Sequence, residues 1–513
     1  MNGAEALVHT LVGAGVEICF TNPGTSEMHF VAALDRVEGM RPVLTLFEGV
    51  ASGAADGYGR MAGRPASTLL HLGPGLANGL ANFHNARKAR TPIVNLVGDH
   101  ALPHQRYDAP LSADVEGFAR PVSTWVRSAG DASDLPELGA EAVAAASAPP
   151  GGVATLIVPA DVAWSEGARP APRKEPAKPD TVAPEAIART AEALRSGERC
   201  ALLLGGPALR AGAIALARRI ADASGALLFC DTFNGRIERG AGRVPIQPLP
   251  YFAEAAVTGL DGVRRLIRVG TQAPVAFFAY PDKPIELWPA DCAVLELAGR
   301  GEDAEAALEV LAEELGAGTS APCQERELPG TPSGVLDPAA IGASLGALLP
   351  EGAIVSDESI TASGALFPAT AGAAPHDWLQ LTGGAIGQGL PVATGAALAC
   401  PDRKVVCLEG DGSALYTIQS LWTQAREGLD VTTVIFANRS YAILQIELHR
   451  LGVDQPGPRA RDMLEIGRPD LDFVALARGL GVDAHRVTRA EDFHDRFAAA
   501  MAEPGPHLIE AVY

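Results

Sequence analysis

Val405-Val406-Cys407-Leu408-Glu409-Gly410-Asp411-Gly412-Ser413 is the stretch whose reading decides the fold. Val405 to Leu408 reads as a buried strand, and Gly410-Asp411-Gly412-Ser413 breaks it with a polar, glycine-rich turn. Residues 416–427 follow with helical periodicity. A second apolar run, Val431 to Phe436, then ends on Ala437-Asn438-Arg439-Ser440. The order is strand, turn, helix, strand, with both polar turns at strand carboxyl ends. In a parallel α/β sheet ligands bind there, and the helix N-terminus after Gly412 offers free N–H groups to a phosphate. Asp411 offers a carboxylate, Asn438 an amide oxygen and Ser440 a backbone carbonyl, a set that suits Mg²⁺ once phosphate oxygens and a water join it. Taken alone, Gly-Asp-Gly is equally a tight turn, because those residues favour turns.

Working outward, residues 338–513 form the domain that carries this unit, and it finishes on the strand-like His507–Val512. Residues 1–165 alternate helical and strand-like segments as a parallel α/β domain does. Four apolar strands there close in polar or glycine-rich turns. Val16–Thr21 runs into Asn22-Pro23-Gly24-Thr25-Ser26-Glu27, and Pro42–Phe47 into Glu48. Ala66–Leu72 runs into Gly73-Pro74-Gly75, and Pro92–Val97 into Gly98-Asp99-His100. Gly, Ala and Ser dominate the run after Glu48, so that helix packs close to a neighbour and leaves the carboxylate among apolar atoms, where a raised pKa is expected. Residues 166–182, with Pro170, Pro172, Pro176 and Pro179, are a linker, as are residues 316–337. Between them, 183–315 form a third α/β domain with strands at 201–204, 226–230 and 266–269. Its Gly205-Gly206 is a plain βα turn, since it lacks the G-x-G-x-x-G pattern of a dinucleotide site.

Composition narrows the functional classes. A formal net charge of −20 argues against nucleic-acid or anionic-membrane partners. No apolar run reaches the ~20 residues of a spanning helix. The acidic, His-containing N-terminus does not read as a signal peptide. Seven scattered cysteines without a CxxC read as small buried hydrophobes of a reducing compartment. The expectation is a cytoplasmic α/β protein of three domains, each a parallel sheet flanked by helices.

The 27-residue step from Asp411 to Asn438 resembles the diphosphate–metal motif of thiamine diphosphate (ThDP) enzymes, with Ala437 where that family usually has a first Asn. The likeness covers nearly the whole chain and points to the acetolactate synthase and benzoylformate decarboxylase group. Asn22-Pro23-Gly24-Thr25 resembles the decarboxylase's Asn-Pro-Gly-Ser, and His71 falls where that enzyme has an active-site histidine. Asp357-Glu358-Ser359 and Gly383-Gly384-Ala385-Ile386-Gly387 are in register too.

The resemblance implies a pyrimidine-binding domain, a central domain and a diphosphate-binding domain. It implies that Glu48 hydrogen-bonds the aminopyrimidine ring and that Ile386 lies beneath the bent cofactor. Asn22, Pro23, Gly24, Glu358, Ser359 and Gly384 would line the cofactor. Gly410, Gly412, Ser413 and Tyr441 would surround its diphosphate, which Mg²⁺ on Asp411, Asn438 and Ser440 would anchor. It further implies a homodimer or homotetramer, with Glu48 and Asp411 of one site drawn from different subunits. The chain departs from the decarboxylase in three places, one of them after Gly98, where Asp99-His100 and His104-Gln105 bring in polar groups. Ala279 stands where a second catalytic histidine is expected, and Thr25 stands for the serine. His100, on a strand end near the substrate side, either replaces that histidine or is a solvated loop residue.

The leading expectation is decarboxylation of a small 2-oxo acid, with Glu48, His71, Thr25 and His100 as the catalytic candidates. A synthase-like transferase that condenses two 2-oxo acids is the alternative, and a non-catalytic ThDP-binding regulator is the alternative of another class. FAD, which synthases carry in the central domain, is not expected here, because that domain is compact and has no dinucleotide loop.

Overall fold

The computed structural model describes residues 1–281 and 283–513. Three sheets are present, and in each the strand ends expected from the apolar runs hold to within a few residues. In the first, strand order is Arg41–Leu44, Ile18–Thr21, Ala66–Leu70, Ile93–Asp99, Val153–Pro159, Trp125–Ser128, all parallel. The 18–21, 41–44 and 66–70 strands are therefore neighbours, and their carboxyl-terminal turns meet at one end of the sheet.

The middle sheet runs Gln247–Pro248, Leu227–Cys230, Cys200–Leu204, Arg265–Val269, Ala293–Ala298, again parallel. The last sheet places Val405–Gly410 at its centre, between Ile354–Glu358 and Val431–Ala437. Its edge is a surprise. Ile237–Arg239, from within the middle segment, pairs antiparallel with His376–Gln380. A three-residue strand has no sequence signal strong enough to assign it to a sheet.

Glycine makes the junction between the first and last sheets. Gly57 of the helix Glu48–Ala62 sits where a Cβ would come 2.0 Å from the Val392 carbonyl oxygen, and Gly395 of Gly389–Ala399 would meet the Ala54 carbonyl oxygen at 1.8 Å. Only side-chain-free positions let the two backbones approach so closely. A buried ion pair, Arg60 with Asp56 at 2.5 Å, locks the same junction, since Arg60 also donates to the Gln380 carbonyl at 2.9 Å. Both charges lie out of water and each finds its partners, the condition under which such burial is tolerated.

Three local expectations are corrected. Residues 416–427 are not one helix but the end of Asp411–Thr417 and the whole of Ser420–Glu427. Glu48 does not end a strand; the strand stops at Leu44 and Glu48 opens the helix. Gly73-Pro74-Gly75 is not a turn but the first turn of Leu72–Ala89, where proline is tolerated because its missing N–H would be unpaired anyway. All seven cysteines are free thiols, and burial pushes Cys19 up to about 12. Among the described residues no helix is long and apolar enough to cross a membrane.

Candidate active site

The turns after the 18–21 and 66–70 strands converge on His71. Its Nδ1 lies 2.8 Å from Glu27 Oε2 and 3.1 Å from Ser26 Oγ. Glu27 is nearly inaccessible, and it also accepts the Gly24 N–H at 2.9 Å and the Ser26 hydroxyl at 2.5 Å. Two glycines make the room. A Cβ on Gly98 would come 1.9 Å from Glu27 Oε1, and one on Gly24 would come 2.0 Å from His71 Cγ. The next residue, Leu72, is held at φ 48°, a left-handed conformation that a buried leucine adopts only when its surroundings force it. His71 is thus fixed at Nδ1, by hydrogen bonds, and across one ring face.

Glu27 is the residue that sequence reasoning left out of the site. A clue was present, because Glu three residues after Gly24 is the spacing at which a side chain caps its own turn. Thr25, by contrast, is exposed, and the hydroxyl that reaches His71 belongs to Ser26. Asn22 and Pro23 lie half-buried on the same turn. His100 is not drawn to His71. Its Nδ1 faces His104 Nδ1 at 3.4 Å, and its N–H donates to Asp99 at 2.7 Å. Burial raises the Asp99 carboxyl above its ordinary value.

Glu48 stands at the start of its helix with Oε2 accepting from Asn78 at 3.0 Å. Its other oxygen, Oε1, takes no hydrogen bond among the described residues, and it lies 3.3 Å from where a Cβ on Gly75 would be. The helix of small residues packs close as expected, with Gly49 through Met61 all buried, but the Glu48 carboxylate is half-exposed and bonded to an amide instead of being enclosed by apolar atoms. The helix Leu72–Ala89 links this group to the last domain. Asn82 donates to the carbonyls of Gly49 at 2.9 Å and Gly387 at 3.1 Å, and Asn85 donates to Ala385 at 2.7 Å. Ile386, half-buried, sits in the turn so held, with Gly384 and Gly387 at positive φ on either side.

The last domain assembles its polar groups differently. Glu358 ends the strand Ile354–Glu358 and accepts the N–H groups of Gly387, Gln388 and Gly389 at 2.8, 2.7 and 2.5 Å. Its carboxylate is therefore committed to shaping the 383–389 turn, not free to line a ligand. Ser359 is likewise committed, donating its N–H and hydroxyl to Asp357 at 3.0 and 2.6 Å. Beside Glu358 lies Glu409, fully buried, with Oε1 unpartnered. Burial pushes Glu358 up to about 7 and Glu409 well above the carboxylate range. Glu358, with three N–H donors, is the one suited to carry the charge, so Glu409 keeps the proton. Sequence reasoning passed over Glu409 because an acidic residue in an apolar run looks like the end of the strand.

Asp411 opens a helix of only seven residues, Asp411–Thr417. Its Oδ1 accepts from Gly412 at 2.8 Å and its Oδ2 from the Arg439 N–H at 2.6 Å, while burial raises its pKa. Asn438 Oδ1 accepts from the Ser440 N–H at 3.0 Å. Tyr441 covers Gly412, where a Cβ would come 2.4 Å from the ring. Gly412, Asn438 and Arg439 thus meet at one carboxylate, with Tyr441 over Gly412 and with Gly410, Ser413 and Ser440 next to them in the chain. Among the described residues no cluster of three His, Cys, Asp or Glu side chains exists that would hold a metal unaided. One carboxylate, one amide and one carbonyl fit instead a hard cation that takes its remaining oxygens from a phosphate.

The sequence as a whole decides the family. "Thiamine pyrophosphate enzyme, N-terminal TPP binding domain" matches residues 1–118, and "Thiamine pyrophosphate enzyme, C-terminal TPP binding domain" matches residues 365–511. A Mycobacterium tuberculosis protein, IlvX, whose name assigns it provisionally to the acetolactate synthase large subunits, is 56% identical over 100% of this chain and 99% of its own length. The chain belongs to the thiamine pyrophosphate enzymes. Benzoylformate decarboxylase of Pseudomonas aeruginosa is 30% identical over 97% of this chain and 96% of its own. The structure of a Rhodococcus jostii ThDP-dependent 4-hydroxybenzoylformate decarboxylase superposes with a TM-score of 0.85 at 26% identity, covering 99% of this chain and 98% of that one. Within this family of thiamine pyrophosphate enzymes, relatives bear the names of synthases and decarboxylases alike.

Proposed function

We propose that this enzyme decarboxylates a 2-oxo acid with ThDP and Mg²⁺ and releases an aldehyde. The observation that carries the reading is the Glu27–His71 pair, a buried carboxylate holding a histidine at one end of the sheet that also presents Glu48. ThDP, when bound, supplies a carbon nucleophile and a sink for the electron pair that carbon dioxide leaves behind.

The chain's own residues do the rest. Glu48, whose Oε1 is left free by Asn78, would hydrogen-bond the cofactor's aminopyrimidine and exchange a proton with it. His71, with Nδ1 held by Glu27, has Nε2 left to deliver a proton to the product carbon. Ser26 bridges the pair and keeps the ring from turning. Ile386 would support the cofactor. Asp411, Asn438 and the Ser440 carbonyl would hold Mg²⁺, which would supply charge neutralisation for the diphosphate. The assembly is a homodimer or homotetramer with the two halves of each site on different subunits.

Product analysis tests the reading. Purified protein with ThDP and Mg²⁺ should convert a 2-oxo acid to carbon dioxide and the matching aldehyde. A 2-hydroxy-3-oxo acid with carbon dioxide, in place of the aldehyde, would replace it with the synthase reading, which the likeness to IlvX favours. Absence of any turnover with ThDP bound would favour the regulatory one. An absorption spectrum without a flavin band accompanies the first outcome.

A further inference from the structure

Phe277 and Phe278 of the middle domain stand half in solvent, 46% and 51% exposed. An adjacent pair in that state, unlike a lone exposed hydrophobe, marks a contact surface. They do not sit on a loose loop. The rings of Phe233, Tyr251, Phe277 and Phe278 meet edge-on or tilted, with centroids 4.9–6.0 Å apart. Val275 pairs with Glu286 in an antiparallel bridge, and the Ala276 N–H donates to Ile285 at 2.8 Å. The Tyr280 hydroxyl donates to Glu447 at 2.9 Å, and Arg450 lies over Phe252 at 4.4 Å while pairing with Glu254. These contacts strap the segment to the helix Ala442–Arg450.

The pair also borders the candidate active site. Phe277 lies over Gly384, where a Cβ would come 2.8 Å from the ring. That glycine is two residues from Ile386. From the other side, residues 441, 444 and 447 share one face at i,i+3 spacing. Tyr441 covers Gly412 and Glu447 holds Tyr280, so Leu444, 46% exposed, falls between the two. The exposed rings and Leu444 therefore flank the turn that carries Ile386, and the carboxylate on that face, Glu447, is occupied by Tyr280 and Arg450.

We propose that Phe277, Phe278 and Leu444 are the wall against which the substrate's side chain lies, and that this enzyme prefers 2-oxo acids with bulky hydrocarbon side chains to pyruvate. The inference rests on the decarboxylase reading above. A polar tail against this wall would lose its water with no hydrogen bond in return, whereas a hydrocarbon tail gains with each methylene it buries. The competing occupant is a second copy of the chain seated on the same rings.

On the full-length protein with ThDP and Mg²⁺, kcat/KM for 4-methyl-2-oxopentanoate and phenylpyruvate should exceed that for pyruvate by about tenfold or more. Phe278→Ala and Leu444→Ala should each lower that ratio by about fivefold and leave the ThDP concentration for half-saturation unchanged. A calorimetric titration reads the wall without turnover: methyl phenylacetylphosphonate should bind about tenfold more tightly than methyl acetylphosphonate. Equal handling of large and small acids, and of the two phosphonates, overturns the proposal. So does a shift in sedimentation on Phe278→Ala with the substrate ratio intact, which would assign the rings to a subunit contact. Phosphonate discrimination without any decarboxylation would leave the wall standing and remove the functional reading instead.

Discussion

The two halves of the candidate site hold their carboxylates in opposite ways. In the first domain Glu27 is satisfied mainly by side chains, a histidine 44 residues on and the neighbouring serine, with one backbone N–H. In the last domain Glu358 and Asp411 are satisfied by backbone N–H groups of nearby turns. Backbone donors are rigid and cannot titrate, so that half is suited to anchoring a charge. Side-chain donors carry protons that can move, so the first half is suited to the chemistry. Substitutions in the two halves should therefore fail differently, one in turnover and the other in binding.

The largest effect should come from Glu48→Gln, which keeps shape and the bond from Asn78 but cannot share a proton. Turnover should fall by about 10²–10⁴ while ThDP binding, followed by calorimetry, persists. Near-normal turnover would remove Glu48 from the chemistry. Asp411→Ala should do the reverse. ThDP affinity should drop by about two orders of magnitude, and chelation of Mg²⁺ in the parent should reproduce the loss. Metal-independent ThDP binding in both proteins would break the contrast between the halves.

Glu27→Gln sharpens it. The amide retains shape but not the charge beside His71, so kcat should fall by about ten- to a hundredfold with KM nearly unchanged. A loss confined to KM would place Glu27 with the anchoring half. The smallest effect lies outside both. Asp231 of the middle domain is half-buried beside Thr271, whose hydroxyl lies 2.6 Å from each carboxylate oxygen and donates between them, and desolvation pushes it from 3.8 up to about 6. Because its folded pKa lies above the unfolded one, its contribution is complete below about 3.8 and is lost as pH rises through about 6. Asp231→Asn, which has no proton to lose, should gain roughly 2 kcal/mol on the parent between pH 4 and pH 7.5. Urea denaturation at the two pH values checks it, and an unchanged difference would mean that water reaches the carboxylate.

By itself the sequence determined three largely parallel sheets, because their central strands are buried on both faces and read as apolar runs such as Val405 to Leu408. The proposed anchoring half was legible too, since Gly410-Asp411-Gly412 and Asn438 appear as written motifs at strand ends, although the Arg439 N–H that binds Asp411 comes from 28 residues away. Tertiary structure decided the rest. It chose Ser26 over Thr25 beside His71, it gave Glu27 its role, and it turned Glu358 inward to the 387–389 turn. It also moved Ile237–Arg239 to the far sheet and set Phe277 on Gly384. In each case the partners are far apart in the chain, and side-chain direction at a turn depends on which distant segment leaves room for it. Local periodicity carries no record of that room; a glycine such as Gly98 or Gly384 shows its purpose only when the neighbour it admits is in place.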